Sequence, residues 1–281
     1  MSKRPMCSTI AVLVLVCLNG LMLPVRADEI TSATAPQVAQ EAASQDEDKW
    51  EFKAPLYLWA MALTGTVTLK GNNATVDQSF TDLFDHMDQG FMAYLILAKP
   101  QYGFYVNPNY FSLSFGGHDS SGNKVTLDTQ MWAIEMAGFY RIWEYEGDRP
   151  ASLYAVGGAR YWNLHNNIKV KGDGADAGTK WLLDPMIGLR FKERITQHVH
   201  VMGQSDIGGF NLAGQTSRFS YQLMGLIGYD FTMPVIKKES TVFGGWRQIN
   251  IQKTSGSGTV NQDAFNLNFS GVVLGLNVEL F

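Results

Sequence analysis

A two-residue period runs through this chain from Trp50 to its last residues. Successive side chains of an extended strand point to opposite faces, so strict alternation marks a strand with two different environments. In residues 50–60, Trp50, Phe52, Ala54, Leu56, Leu58 and Ala60 share one face, and Glu51, Lys53 and Tyr57 share the other. In 130–143, Trp132, Ile134, Met136, Tyr140 and Ile142 oppose Glu135 and Arg141. In 180–191, Trp181, Leu183, Ile187 and Leu189 oppose Asp184 and Arg190. In 219–231, Phe219, Tyr221, Leu223, Ile227 and Tyr229 oppose Gln222 and Asp230. Further strands are read at 90–99, 102–115, 152–165, 198–210, 241–251 and 265–281, which makes ten. Beyond residue 27 no apolar run reaches the roughly 18 residues of a candidate membrane helix.

The connections fall into two alternating classes. Those at 100–101, 144–150, 192–197 and 233–238 are short; those at 62–89, 116–124, 166–180, 211–218 and 252–263 are mostly longer, polar and rich in glycine. Tight turns at one end and larger loops at the other belong to an even-numbered up-and-down barrel. The expected fold is therefore all-β: a closed antiparallel up-and-down transmembrane β-barrel of about ten strands, with eight and twelve as the alternative counts. The apolar faces point out to lipid, with Trp, Tyr and Phe near the strand ends at the two interfaces. Closure leaves no strand edge with unpaired backbone groups in the bilayer.

The charged faces then point into the lumen. Glu135, Arg160, Asp184, Arg190, Asp206 and Arg247 are the candidate lumen charge network, with both signs in equal number. Such a set favours mutual pairing over the single-sign lining of an ion-selective pore. Folding the chain about the centres of its connections sets Glu135 opposite Arg160, Arg160 opposite Asp184, and Asp184 close to Asp206.

The first residues read as a targeting signal. Lys3 and Arg4 precede an almost uncharged apolar run from Ile10 to Leu23, and Val25-Arg26-Ala27 supplies a small-x-small cleavage site. Residues 1–27 are expected to be a signal peptide, 28–48 a flexible periplasmic tether without aromatic residues, and 49–281 the barrel. Bulky Val16 before Cys17 argues against a lipoprotein anchor there. Both cysteines, Cys7 and Cys17, lie in the removable segment, which excludes disulfides and cysteine chemistry from the mature chain. Loss of Lys3, Arg4 and Arg26 takes the formal net charge from −4 to −7, a poor match to nucleic acid.

One segment breaks the strand pattern. Ser79-Phe80-Thr81-Asp82 resembles a capping box, and Phe80, Leu83, Phe84 and Met87 follow at helical spacing. A short amphipathic helix over 81–88 is expected in the first outer loop, as a lid or as a helix packed on its own neighbours. His86, His118 and His165 fall near the outer rim, close to Asp85, Asp88 and Asp119, where general acid–base chemistry is conceivable. No nucleophile motif accompanies them, so no catalytic residue is assigned. His198 and His200 share one strand face without an evident third ligand, so no metal and no cofactor is assigned.

Several segments together resemble a porin-like family of bacterial outer-membrane β-barrel proteins. They are Ser79-Phe80-Thr81-Asp82-Leu83-Phe84, Gly158-Ala159-Arg160-Tyr161-Trp162, Asp184-Pro185-Met186-Ile187-Gly188-Leu189-Arg190, Ser205-Asp206-Ile207-Gly208-Gly209-Phe210, Gly228-Tyr229-Asp230-Phe231 and Gly245-Trp246-Arg247. The resemblance covers nearly the whole mature chain and implies a barrel at the outer membrane, with no substrate or catalytic residue attached. One departure concerns the C-terminal insertion pattern: Val272, Leu274, Leu276, Val278 and Leu280 alternate out of phase with Phe281. The expected function is a structural barrel or narrow passive pore with a charge-paired lumen. The alternatives are a rim hydrolase acting on lipid or peptide and a soluble periplasmic ligand-binding barrel. Expected partners are outer-membrane lipid and lipopolysaccharide, the barrel-assembly machinery during insertion, and small solutes; nucleic acid is not among them.

Overall fold

The computed structural model describes residues 49–69, 72–118, 124–170, 174–212, 214–233, 239–255 and 263–278. The signal peptide and tether expected over 1–48 lie outside the described residues, as do His118's neighbour Asp119 and the terminal Leu280 and Phe281.

The described chain forms one antiparallel sheet of thirteen strand segments and one short helix. In chain order these are β1 (Glu51–Lys53), β2 (Leu56–Leu69), β3 (Asn72–Gln78), α1 (Phe80–Asp85), β4 (Met87–Met92), β5 (Leu95–Ala98), β6 (Tyr102–His118) and β7 (Lys124–Tyr145). There follow β8 (Ala151–Val170), β9 (Gly174–Arg194), β10 (Val199–Gly208), β11 (Phe219–Thr232), β12 (Glu239–Ser255) and β13 (Asp263–Val278). From β5 to β13 each strand pairs with the next in sequence, the up-and-down order that short reversals produce.

The two ends of this order meet in a single stretch of chain. β13 pairs with β2, whereas β1 pairs with β5. Only Ala54 and Pro55 separate β1 from β2, and Pro55 has no amide hydrogen to give a ladder. Next to this break Leu56 bridges to Ala93, and the Trp59 amide donates to Met92 Sδ at 3.1 Å. The expected strands at 50–60 and 90–99 are thus each interrupted, into β1/β2 and β4/β5.

Three strands run well past their expected ends. β7, β8 and β9 have 22, 20 and 21 residues, because the glycine-rich stretches expected as loops continue the ladder. His118 pairs with Lys124, and Val170 with Gly174, close to the tips of two hairpins. The helix is α1 over Phe80–Asp85, shorter than the expected 81–88. Ser79 caps it: the Asp82 amide donates to Ser79 Oγ and the Ser79 amide donates to Asp82 Oδ2, a reciprocal capping box.

The faces are inverted relative to a protein folded in water. Leu56 is 68% exposed, and Leu58, Trp132, Met136, Ile187, Leu189, Leu223, Ile227, Trp246 and Leu274 are exposed with it. Glu135, Arg160, Asp184, Arg190, Asp206 and Arg247 are all buried. Burying one large aliphatic side chain is worth about 1.5–3 kcal/mol, so a belt of this extent in water would forgo a large stabilisation. The interior is not polar throughout. Trp59, Met61, Phe111, Trp162, Ile249 and Phe269 form an apolar cluster, and Tyr105, Phe139, Tyr154, Val156 and Met186 form a second.

Candidate functional site

Between the two apolar clusters lies a belt of bonded polar side chains. It begins with the register that sets Glu135 of β7 opposite Arg160 of β8. Glu135 Oε2 accepts from Arg160 Nε at 3.1 Å and Nη2 at 2.9 Å, and from Arg247 Nη2 at 3.2 Å. Its other oxygen accepts from the Tyr105 hydroxyl at 2.6 Å. Arg160 Nη2 also donates to Asp206 Oδ1 at 2.8 Å. Asp206 Oδ2 takes bonds from Gln222 at 2.9 Å and Gln204 at 3.2 Å. Arg247 completes the set by donating to Gln222 Oε1 at 2.8 Å and Asn107 Oδ1 at 2.9 Å.

Two carboxylates and two guanidinium groups thus balance one another, with amides and a hydroxyl bonding both carboxylates and Arg247, while Arg160 Nη1 has no hydrogen-bond partner among the described residues. Arg160 is 1% exposed, and the carboxylate of Asp206 is inaccessible. Buried ion pairs survive only when bonded this fully, because the desolvation of each charge costs several kcal/mol. Glu135 and Asp206 have both oxygens engaged, which leaves neither poised as a general base.

Four of the six expected residues (Glu135, Arg160, Asp206 and Arg247) come together here. Asp184 does not join them. It lies opposite Arg160 in the ladder, but its Oδ1 accepts the Ser217 backbone amide at 2.6 Å. That bond holds the β10–β11 connection over β9, where the Leu183 amide also donates to Gln215 O. Asp184 is not beside Asp206 either, since the β9–β10 register sets Asp206 opposite Gly188. The close fit there needs glycine: a Cβ on Gly188 would stand 2.5 Å from Asp206 Cβ. Arg190 joins the belt through neutral side chains and not through an ion pair. Its Nε and Nη2 donate to Gln204 Oε1 at 2.9 and 2.7 Å, and Nη2 donates to the Tyr94 hydroxyl at 2.7 Å.

Of the expected lid residues, Leu83 is buried in the first apolar cluster and Met87 packs against it. Phe84 is exposed and rests on Phe80, with ring centroids 5.7 Å apart. The two rim histidines with described side chains have different partners. His86 Nδ1 lies 2.7 Å from the Asp82 carbonyl oxygen, and His165 Nδ1 lies 2.8 Å from Thr179 Oγ1. The side chain of His118 lies outside the described residues. At the opposite end His200 Nδ1 is 3.2 Å from Asp230 Oδ2, while His198 packs against the Tyr229 ring. Among the described residues no three of His, Cys, Asp and Glu gather as metal ligands.

Below the belt, toward the short connections, the lumen opens into a cavity of about 680 Å³. Glu135, Arg190, Gln222 and Arg247 face its inner end, and Pro150, Gln197 and Glu239 lie at its outer end. Alternation in 102–115 already sets Tyr105, Asn107 and Asn109 on one face, a signal of belt membership not drawn from the sequence. Period two likewise sets Gln204 on the face of Asp206, whereas Tyr94 carries no such mark.

No protein-family model matches the chain, and no curated protein matches it. Among solved structures the chain is similar to the outer membrane protease OmpT from Escherichia coli, at a TM-score of 0.46 and 13% identity over 83% of this chain and 97% of that one. It is also similar to Ail, the attachment invasion locus protein of Yersinia pestis, in complex with the heparin analogue sucrose octasulfate. That match has a TM-score of 0.35 and 10% identity over 80% of this chain and 99% of the other. A Pseudomonas aeruginosa FadL homologue matches at a TM-score of 0.29 and 7% identity, over 82% and 90% of the two chains.

Proposed function

We propose that this chain is a bacterial outer-membrane protein, a closed barrel of ten staves whose lumen is plugged at mid-depth. It acts as a structural, non-conducting barrel rather than as an enzyme. The single observation that carries the reading is the inversion of its faces: Leu56 and its outward companions are exposed while Arg160 and Asp206 are buried. Lipid is the solvent that makes this arrangement favourable.

Supporting the count of ten, β1 and β2 act as one stave joining β5 to β13, β4 and β5 act as a second, and β6 to β13 supply eight more. At 3.3–3.4 Å per residue, 22 residues reach about 70 Å, whereas a tilted membrane strand uses roughly 9–11 residues. The surplus lies at the end of the longer connections, which we assign to the cell exterior, with the short turns facing the periplasm.

Purified protein reconstituted in planar bilayers tests the plug. The expected result is no steady conductance from the native chain. An ohmic, long-lived current would overturn the plugged reading, and recovery of the protein in an osmotic-shock fluid would overturn the membrane assignment.

A further inference from the structure

We infer that the cavity below the belt is a binding site for a small anionic amphiphile, a single apolar chain carrying a carboxylate or phosphate head, with Arg190 as the group that receives the head. The inference goes beyond the barrel assignment and depends on it only for the side from which the ligand enters.

Among the described residues, Arg190 is a buried cation that takes part in none of the belt's ion pairs. It is 2% exposed, and its guanidinium is stacked 4.6 Å from the Tyr105 ring centroid and 5.0 Å from that of Phe139. Its hydrogen-bond partners, Gln204 and Tyr94, are neutral. In the belt beside it the two carboxylates are already paired, Glu135 with Arg160 and Arg247 and Asp206 with Arg160, so an incoming anion would be the first group to bond Arg190 as an ion pair. An arginine keeps its proton at any physiological pH. A buried guanidinium fixed by rings and neutral acceptors at the wall of a cavity is therefore built to receive an anion from outside, as a fork that can bond two oxygens.

The apolar part of the wall, which adjoins polar lining from Lys53, Lys192, Glu193, Arg194, His200 and Asp230, defines the other half of the ligand. Met202, Met224, Leu226, Phe243 and Val273, contributed by β10 to β13, line the same cavity. These side chains offer no hydrogen bonds to a sugar or a peptide, and methionine and leucine adapt readily to a flexible chain. The volume of about 680 Å³ lies in the range of small-molecule sites. An ion such as free sulfate would leave this apolar wall unused, and a neutral lipid tail would leave Arg190 unpaired.

The test is calorimetric titration of the full chain, held in amphipol so that no detergent micelle competes for the probe. Hexanoate, hexyl phosphate and 1-hexanol are compared on the native protein, on Arg190→Gln and on Met202→Trp, which fills the cavity away from the guanidinium. Saturable binding of hexanoate or hexyl phosphate, at least tenfold tighter than 1-hexanol, is expected, and the preferred anion identifies the head group. Arg190→Gln should lose at least tenfold in anion affinity, as should Met202→Trp. Heat-modifiable migration on gels establishes that each variant is folded. If Arg190→Gln does not fold, the anion-to-alcohol ratio and Met202→Trp decide the matter. No saturable anion binding, equal affinity for 1-hexanol, or full affinity in either folded variant would overturn the site without touching the barrel assignment.

Discussion

Arg160 on β8 reaches past β9 to Asp206 on β10, with Nη2 2.8 Å from Oδ1. The same guanidinium bonds Glu135 on β7 and donates to Met186 Sδ on β9 at 3.5 Å, so one side chain ties four neighbouring strands from the inside. Removing it leaves Glu135 with Arg247 as its remaining cation and Asp206 with amides alone. Losing one partner of a buried ion pair typically costs about 3–5 kcal/mol. Arg160→Met should destabilise the barrel by that amount in urea unfolding from lipid vesicles. A loss below about 1 kcal/mol would show that the belt is not paired as described.

Asp184 does a different task from the one its ladder position suggests. By accepting the Ser217 amide it pins the β10–β11 connection. Asp184→Asn weakens a charge-assisted bond worth about 1.5–3 kcal/mol. Limited proteolysis should then cut sooner near exposed Leu212, while the Arg160 belt remains intact. Unchanged cleavage would contradict the pin.

Gly188 carries the close approach of β9 to Asp206. A Cβ there would also stand 2.3 Å from the Ser205 carbonyl oxygen, which belongs to the backbone and cannot swing aside. Gly188→Ala should cost about 1–3 kcal/mol, the usual range for overpacking, read by the same unfolding measurement.

Protonation of Asp82 should loosen α1. Hydrogen bonds from the Ser79 side chain and then the Ser79 backbone hold its carboxyl below the ordinary value of 3.8. A carboxyl depressed in the folded state contributes its stabilisation fully above the unfolded value and loses it as the pH falls through the folded one. The cap is thus intact at neutral pH and weakens only in acid. Carboxyl carbon NMR should show the Asp82 titration move up toward the ordinary range in Ser79→Ala, and no movement would contradict the box.

Much of this architecture is legible as alternation. The outward series through Leu56, Trp132, Ile187 and Leu223 follows from period two, and so does the pairing of Glu135 with Arg160 and of Arg160 with Asp184. The step from Asp184 to Asp206 is not legible. β9 runs on to Arg194, three residues past its expected end, and this moves the turn's centre and the register with it. A pattern of faces fixes which way a side chain points but not how far two strands slide. The inward aromatic residues were hidden for a related reason. Trp59 and Met61 lie on the inner face among apolar outward neighbours, so the alternation of polarity fades where both environments are apolar.

In the proposed barrel, apolar side chains face lipid while the belt fills the lumen. Spin labels at Leu56, Ile187 and Leu274, read for collisions with oxygen and with a water-soluble nickel chelate in reconstituted vesicles, test it most directly. All three labels should collide freely with oxygen and hardly at all with nickel, whereas a label at Trp162 should meet neither reagent. Strong nickel collisions at the first three sites, or labels there as shielded as the one at Trp162, would contradict it.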